Sequence, residues 1–308
     1  MPEWRPDPVS AWYLVGGARG VRAGRLTPAV IPGRRLIVTR TADGPAAYDA
    51  ACPHMGADLG AGWVDQGRIV CPLHGFGFGP DGACDRAGVD GLRRYPTAES
   101  CGAVFVHPAA DPDDGPDGPP PDAPTWPDLV WRFVHTERVP VPWAAVMVNA
   151  FDLHHLQIVH RRALVEEPVF EQPGPDRLRM RYVTRVVGTG ASDRVMAAVS
   201  RDRVSIALTC VGGPVMVVEA DLGRIRTAAI AGLVPDGDGT TIHLAVGVPP
   251  GLARPLATWI ARWLYLTFLR RDIPALAGAR LDPRSTLPED APVQRLIAFM
   301  STRTPCPP

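Results

Sequence analysis

Hydrophobic and polar positions alternate with period two over much of the chain, and each alternating run is bounded by glycine, proline or aspartate. Short runs at Trp12 to Val15, Leu36 to Arg40 and Ala46 to Ala50 predict small strands of a β unit near the N-terminus. A strand expected at Leu129 to Val134 opens a second set. From Arg177 the alternation is clear: Leu178, Met180, Tyr182 and Thr184 share one face, and Arg177, Arg179, Arg181 and Val183 the other. Val204, Ile206, Leu208 and Cys210 continue the pattern. Gly212-Gly213 turns it into Val215 to Ala220, and Asp236-Gly237-Asp238-Gly239 turns Ile225 to Val234 back onto Thr241 to Val248. This predicts an antiparallel meander.

The period then changes to that of a helix. Leu256, Trp259, Ile260, Trp263 and Leu264 recur at helical spacing, which predicts a helix of about twenty residues packed by that stripe on the sheet. Val293, Leu296, Ile297 and Met300 predict a last amphipathic helix that closes the core. The fold class expected is α+β: a small antiparallel β domain, then an antiparallel sheet gripping a long C-terminal helix around a pocket. Between them, His107 to Pro127 is dense in proline, aspartate and glycine and cannot support a core element. The domains expected are 1–110, with a core near 36–107, a flexible linker or surface loop at 111–127, and 128–308.

Composition narrows the classes. Lys+Arg and Asp+Glu balance at 32 each in 308 residues, with no lysine, and arginine is spread along the chain, so nothing asks for nucleic acid. The N-terminal residues lack the apolar core of a signal peptide, so the cytoplasm is the expected location. The most apolar segment, Val248 to Leu269, is broken by three prolines and two arginines and reads as a packed helix, not a membrane span. Six cysteines are too few for a disulfide scaffold in a chain of this length, and in a reducing compartment they point to metal.

Two segments carry the chemistry. Cys52-Pro53-His54 is followed after sixteen residues by Cys71-Pro72-Leu73-His74, giving C-x-H-x16-C-x-x-H. A Cys2His2 zinc finger places its two cysteines first and its two histidines afterwards, whereas here the ligand types alternate. The second segment is Asn149 to His160, with Asp152, His154, His155 and His160. On an ideal helix His155 and His160 project roughly 140° apart, so sharing one ion requires a π-bulge or a loosened turn between them. A third candidate is Asp272 near the end of the long helix, a position unfavourable for a carboxylate, which reads either as compensated by Arg270 or Arg271 or as a metal ligand. Cys84, Cys101, His107, His135 and His243 are isolated in sequence and are assigned no role.

The repeated C-P-x(0,1)-H halves resemble the Rieske [2Fe-2S] signature, in which two cysteines bind one iron and two histidines the other. Ala57 and Leu73 stand where respiratory members carry a disulfide, so the resemblance is to the oxygenase or ferredoxin type. Beside that motif, Asp152, His155 and His160 form D-x-x-H-x-x-x-x-H, similar to the mononuclear iron motif of Rieske non-haem iron oxygenase α subunits, and loosely nearest the branch with ketosteroid hydroxylases and cholesterol desaturases. The resemblance implies that Cys52, His54, Cys71 and His74 hold the cluster and that His155, His160 and Asp272 hold Fe(II), with Glu219 or Asp221 as weaker substitutes for Asp272. It implies catalytic support from Asp152, through the His155 ring nitrogen and toward His74 of a neighbouring subunit, and from Asn149. It also implies a homotrimer, O2 and a small or polycyclic organic substrate, hydroxylation as the default reaction, and electrons from a separate NAD(P)H-dependent reductase, directly or through a ferredoxin, because no dinucleotide fingerprint is present. The alternative is an electron-transfer protein with a ligand-binding domain and no working mononuclear iron.

Overall fold

The structure is a computed structural model that describes residues 4, 6–108, 118–123, 125–200, 203–251, 253–279, 281 and 287–306. Ten short strands come first: β1 (Tyr13–Gly17), β2 (Thr27–Ile31), β3 (Arg34–Thr41), β4 (Gly44–Asp49), β5 (Trp63–Asp65), β6 (Arg68–Val70), β7 (Gly77–Phe78), β8 (Arg94–Tyr95), β9 (Thr97–Ser100) and β10 (Ala103–Val106). They form three small sheets, ordered β1-β10-β9, β2-β3-β4-β8 and β5-β6-β7. The expected strands are present as β1, β3 and β4. The others are too short, or too interrupted by glycine and charge, for alternation to reveal them.

The remaining elements are β11 (Val130–Val139), α1 (Trp143–Phe151), α2 (Leu153–Ile158), β12 (Arg162–Leu164), β13 (Val169–Gly174), β14 (Arg177–Val186), α3 (Ala191–Ser200), β15 (Val204–Val211), β16 (Val215–Asp221), β17 (Arg226–Asp236), β18 (Gly239–Val248), α4 (Arg254–Leu276) and α5 (Ala291–Ser301). Their strands make an eight-stranded sheet in the order β11-β18-β17-β16-β15-β14-β12, with β13 also paired to β14. Every pairing is antiparallel, as the meander predicts. Gly212 and Gly213 sit at φ +62° and +115°, backbone space that a side chain would resist, and this makes the β15–β16 turn possible.

Alternation gives this sheet two different faces. One face, with Val215, Val217, Ala228, Ile230 and Ala245, is buried against Trp12, Leu14, Ala103 and Phe105 of the N-terminal unit. The other, with Met180, Leu208, Leu233 and Ile242, packs against Met147 and Phe151 of α1 and Leu296 and Met300 of α5. The last helix therefore closes the core as its pattern predicts. The chain's start reaches the same region: the Ser10 amide donates to the Thr304 carbonyl at 2.8 Å and the Cys306 amide to the Pro8 carbonyl at 2.7 Å.

Two expectations need correction. Leu256 and Trp259 are 60% and 59% exposed and do not pack on the sheet. The covered stripe of α4 lies about one position round the helix and includes Ala257, Ala261, Tyr265 and Leu269, packed on Leu244, Val246 and Val248 of β18. Leu264 of the expected stripe is buried, so that expectation holds there and fails at Leu256 and Trp259, where residue bulk was misleading. The segment expected as a flexible linker or surface loop is, where it is described, a loop tied to its neighbours. Gly118 accepts from Trp12 Nε1 at 3.0 Å, Asp122 pairs with Arg177 at 2.5 Å, and Thr125 donates its amide and hydroxyl to buried Glu219 at 3.0 and 2.8 Å. Residues 111–117 and 124 of that expectation lie outside the described residues.

The contact between the N-terminal unit and the sheet is tight at Gly232, where a Cβ would stand 2.4 Å from Leu14 Cβ. We expect Gly232→Ala to cost about 1–3 kcal/mol by overpacking. Gly16→Ala, with nothing within 4 Å, should shift the urea midpoint little. Equal midpoints for the two variants would refute this packing.

Candidate functional site

The two Cys/His loops share one backbone frame. The Cys52 amide donates to the Ala57 carbonyl at 2.9 Å and the Gly56 amide to Cys52 at 2.8 Å; Cys71 with Phe76 and Gly75 with Cys71 repeat this at 2.9 and 3.0 Å. Gly56 and Gly75, each four residues after its cysteine, sit at φ +73° and +69°. C-P-x-x-G is thus a shared signal that the ligand spacing alone did not bring out. Cys52 and Cys71 lie buried at the loop bases, 2% and 1% exposed, whereas His54 and His74 are exposed at the tips. The two Nδ1 atoms face each other at 3.2 Å, and Phe76 lies against both rings. Burial raises the Cys52 thiol, and the neighbouring Cys71 thiol adds to the rise. Two imidazole nitrogens turned to one point and two thiols turned to another suit a cluster with unlike ligand pairs.

The second candidate centre is assembled by a broken helix. α1 ends and α2 begins at Asp152, whose extended backbone (φ −81°, ψ 99°) separates them. Asp152 is the N-cap of α2: its Oδ1 accepts from the His155 backbone amide at 2.8 Å. This corrects the expectation that it reaches the His155 ring, because a capping aspartate three residues upstream finds the orphan amide first. Helix α2 then stops at Ile158, so His160 lies in the following turn, ahead of Arg161 at φ +53°. The distortion expected between the histidines therefore takes the form of a helix end, and no π-bulge is needed.

From α4, Asp272 meets both rings. Its Oδ1 lies 2.9 Å from His155 Nε2 and 2.6 Å from His160 Nε2. One ligand atom from each residue falls within 4.8 Å of the other two, so His155, His160 and Asp272 could hold one metal ion. His160 is 3% exposed, its ring stacks on Phe268 at 4.4 Å, and among the described residues its Nδ1 has no hydrogen-bond partner. Burial raises the Asp272 carboxyl, but the His155 and His160 hydrogen bonds outweigh it and hold the group below the usual carboxylate range. Arg271 does not compensate Asp272; it bonds Ser192 at 3.1 Å and faces Asp193 at 3.7 Å.

The other candidates are placed differently. Glu219 and Asp221 share the parity of Val215 and Val217, so they belong to the sheet face away from this centre, and neither replaces Asp272. His154 is exposed and is neither a packing nor a pocket residue. Asn149, on the last turn of α1, is buried and lines the same cavity as the histidines.

That cavity, about 220 Å³, lies between α4 and the sheet face carrying Tyr182, Ile206, Met216 and Val218. His155, His160, Asp152 and Asp272 stand at its wall and most of the remaining lining is aliphatic. Sequence reasoning missed Tyr265 and Phe268, although they precede Asp272 by seven and four residues on one helical stripe. It also set aside His135, which lines the cavity and bonds Glu137 at 3.0 Å. Arg162 is held by Asp193 at 3.0 Å, both almost fully buried, with its guanidinium over Phe268.

Comparison with known proteins gives this arrangement a class. Residues 11–96 match the Rieske [2Fe-2S] domain, so the chain carries a Rieske domain. Over its whole length it has the fold of dicamba monooxygenase: TM-score 0.75 at 19% identity to the dicamba-bound crystal structure, covering 95% of this chain and 96% of that one. Among curated relatives it is 26% identical to chlorophyllide a oxygenase of Arabidopsis thaliana, over 52% of this chain and 30% of that protein. It is 27% identical to the oxygenase component of 3-ketosteroid-9-alpha-monooxygenase from Rhodococcus rhodochrous, over 48% and 42%. It is 28% identical to cholesterol 7-desaturase of Bombyx mori, over 53% and 38%. The chain thus spans well under half the length of these curated relatives. Among the described residues no helix is long and apolar enough to cross a membrane.

The Arg162–Asp193 pair supports the strand and helix that flank Phe268. Asp193→Ala should destabilise the protein by about 3–5 kcal/mol, because it leaves a buried guanidinium without its counter-charge. Urea unfolding checks this, and a loss below 1 kcal/mol would show that water or a backbone carbonyl takes over as the guanidinium's acceptor.

Proposed function

We propose that this chain is the terminal oxygenase component of a multicomponent system, using O2 and electrons relayed through its Rieske cluster to oxidise, most simply to hydroxylate, a small organic substrate. The observation that carries this reading is the coexistence of two unlike metal-binding groups in one chain. A Rieske domain comes first, and a 2-His-1-carboxylate group then opens onto an apolar cavity. In this reading Cys52 and Cys71 bind one cluster iron, His54 and His74 bind the other, and His155, His160 and Asp272 hold Fe(II). When bound, that Fe(II) supplies oxygen activation, since three protein ligands on one side leave the opposite positions open.

The chain's own residues then do the rest. Aliphatic walls exclude water and hold the substrate C–H beside the metal. Phe268 fixes the His160 ring by stacking, and Asp152 fixes His155 by capping its helix. The electron source is a separate NAD(P)H-dependent reductase, directly or through a ferredoxin. We further propose a homotrimer in which exposed His74 of one subunit meets Asp152 of the next, and a cytoplasmic setting with domains at 1–110 and 128–308.

Metal analysis tests the central claim. Purified protein should contain about three irons and two acid-labile sulfides per chain. Asp272→Ala should lose about one iron and keep the cluster absorbance. An unchanged iron count in that variant would sink the ligand set and favour the electron-transfer alternative.

Asp152→Asn tests the intersubunit role separately. Asparagine caps a helix about as well as aspartate, so stability and metal content should hold. Reductase-driven turnover should fall by at least about tenfold, a 1.4 kcal/mol rise in barrier. Turnover at the wild-type rate would confine Asp152 to capping.

A further inference from the structure

Tyr182 and Tyr265 are two phenols of the cavity that nothing above uses. Tyr182 comes from β14, on the same face as Met180 and Thr184, and Tyr265 comes from α4. Both line the cavity. Among the described residues the Tyr265 hydroxyl is sealed from solvent and has no hydrogen-bond partner. The Thr227 hydroxyl beside it donates to the Gly247 carbonyl at 3.0 Å and touches the Tyr265 phenol without reaching hydrogen-bond geometry. A buried hydroxyl is ordinarily paired, so the unpaired Tyr265 phenol, with Tyr182 on the same apolar cavity, calls for a partner that arrives with the ligand. Burial pushes both phenols well above the ordinary tyrosine range, so each stays a neutral donor, and Tyr182 contributes to the rise at Tyr265.

Geometry sets the ligand's length. Tyr265 and Asp272 share one face of α4, seven residues apart, which is about 10.5 Å along the axis. Volume sets its size, because 220 Å³ is just below the range of about 300–1,000 Å³ usual for ligand pockets. Charge sets its class. Arg162 is the cationic side chain on the cavity wall apart from the histidines, and Asp193 already neutralises it at 3.0 Å. Away from the His155–His160–Asp272 centre, a carboxylate ligand would find no cationic side chain on the wall that is not already paired.

We infer that the substrate is a neutral, largely apolar molecule of one or two rings. A carbonyl or ether oxygen at one end accepts hydrogen bonds from the Tyr182 and Tyr265 hydroxyls, and the other end lies at the His155–His160–Asp272 centre. The statement about the second end rests on the oxygenase reading above; the hydroxyl anchor does not. In this arrangement the two tyrosines choose which end of the molecule is buried and therefore which C–H faces the metal. They act by positioning the ligand.

The test is equilibrium dialysis of the holoprotein, without O2 or reductant, against 4-phenylcyclohexanone, phenylcyclohexane and 4-phenylbenzoate. The ketone should bind about tenfold tighter than the hydrocarbon, and the benzoate more weakly than either. Tyr265→Phe and Tyr182→Phe should each weaken the ketone about fivefold while leaving hydrocarbon affinity within about twofold, a split that a merely structural tyrosine would not produce. Equal affinity for ketone and hydrocarbon, undiminished ketone preference in both variants, preference for the benzoate, or no binding of the ketone would each overturn the anchor. Should a variant fail to fold, the three ligands on the wild-type chain still decide. The iron count separates this from the oxygenase reading: ketone preference with only two irons keeps the anchor and removes the oxygenase, and three irons without ketone preference does the reverse.

Discussion

Asp272 between His155 and His160 is the contact on which the rest of the interior turns. A carboxylate facing an aliphatic cavity is tolerated only when it is paired and hydrogen-bonded, and here one oxygen lies 2.9 and 2.6 Å from two imidazole nitrogens. Those three residues come from two elements far apart in sequence, the broken α1–α2 segment and α4. Joining them fixes how α4 lies across the sheet. That in turn puts Tyr265, Phe268 and Leu269 on the cavity side and leaves Leu256 and Trp259 outside.

The eight-stranded sheet keeps the two halves of the chain's chemistry apart. Even-numbered positions of β14, β15 and β16 face the cavity, and odd-numbered positions of β16 face the β1–β10 sheet. Glu219 illustrates the consequence. It is buried and acidic, as a ligand would be, yet one residue of parity places it on the far face, where it fastens Thr125. In a strand, a candidate's parity is therefore stronger evidence about its role than its residue type.

Much of this was legible in the sequence, for identifiable reasons. The meander was readable because β15 to β18 are long and joined by glycine-bearing turns, whereas α3 between β14 and β15 was not foreseen. The Cys/His loops were readable because ligand identity and spacing are local. Two things were not. The burial stripe of α4 could not be taken from residue size, since Ala257 and Ala261 pack where Trp259 does not. Asp152 could not be assigned a partner, since cap and ring lie within the same three-residue reach and only backbone geometry selects the cap. The Arg162–Asp193 pair is long-range, and nothing in either residue's neighbourhood announces it.

The two histidine pairs show how different surroundings suit one imidazole chemistry to different tasks. His54 and His74 stand exposed on loop tips, ringed by the apolar side chains of Met55 and Leu73, which are themselves exposed. His160 is almost fully buried and clamped by Phe268, and His155 is fixed through its helix cap. On the oxygenase reading proposed above, exposed imidazoles beside a cluster give electrons a short way in from another protein surface, and buried imidazoles beside an apolar cavity help keep water from the substrate. If both pairs were equally exposed, the cavity would be wet; if both were equally buried, the cluster would have no surface from which to be reduced. The division of burial between the pairs is thus itself an argument that they serve successive steps of one process.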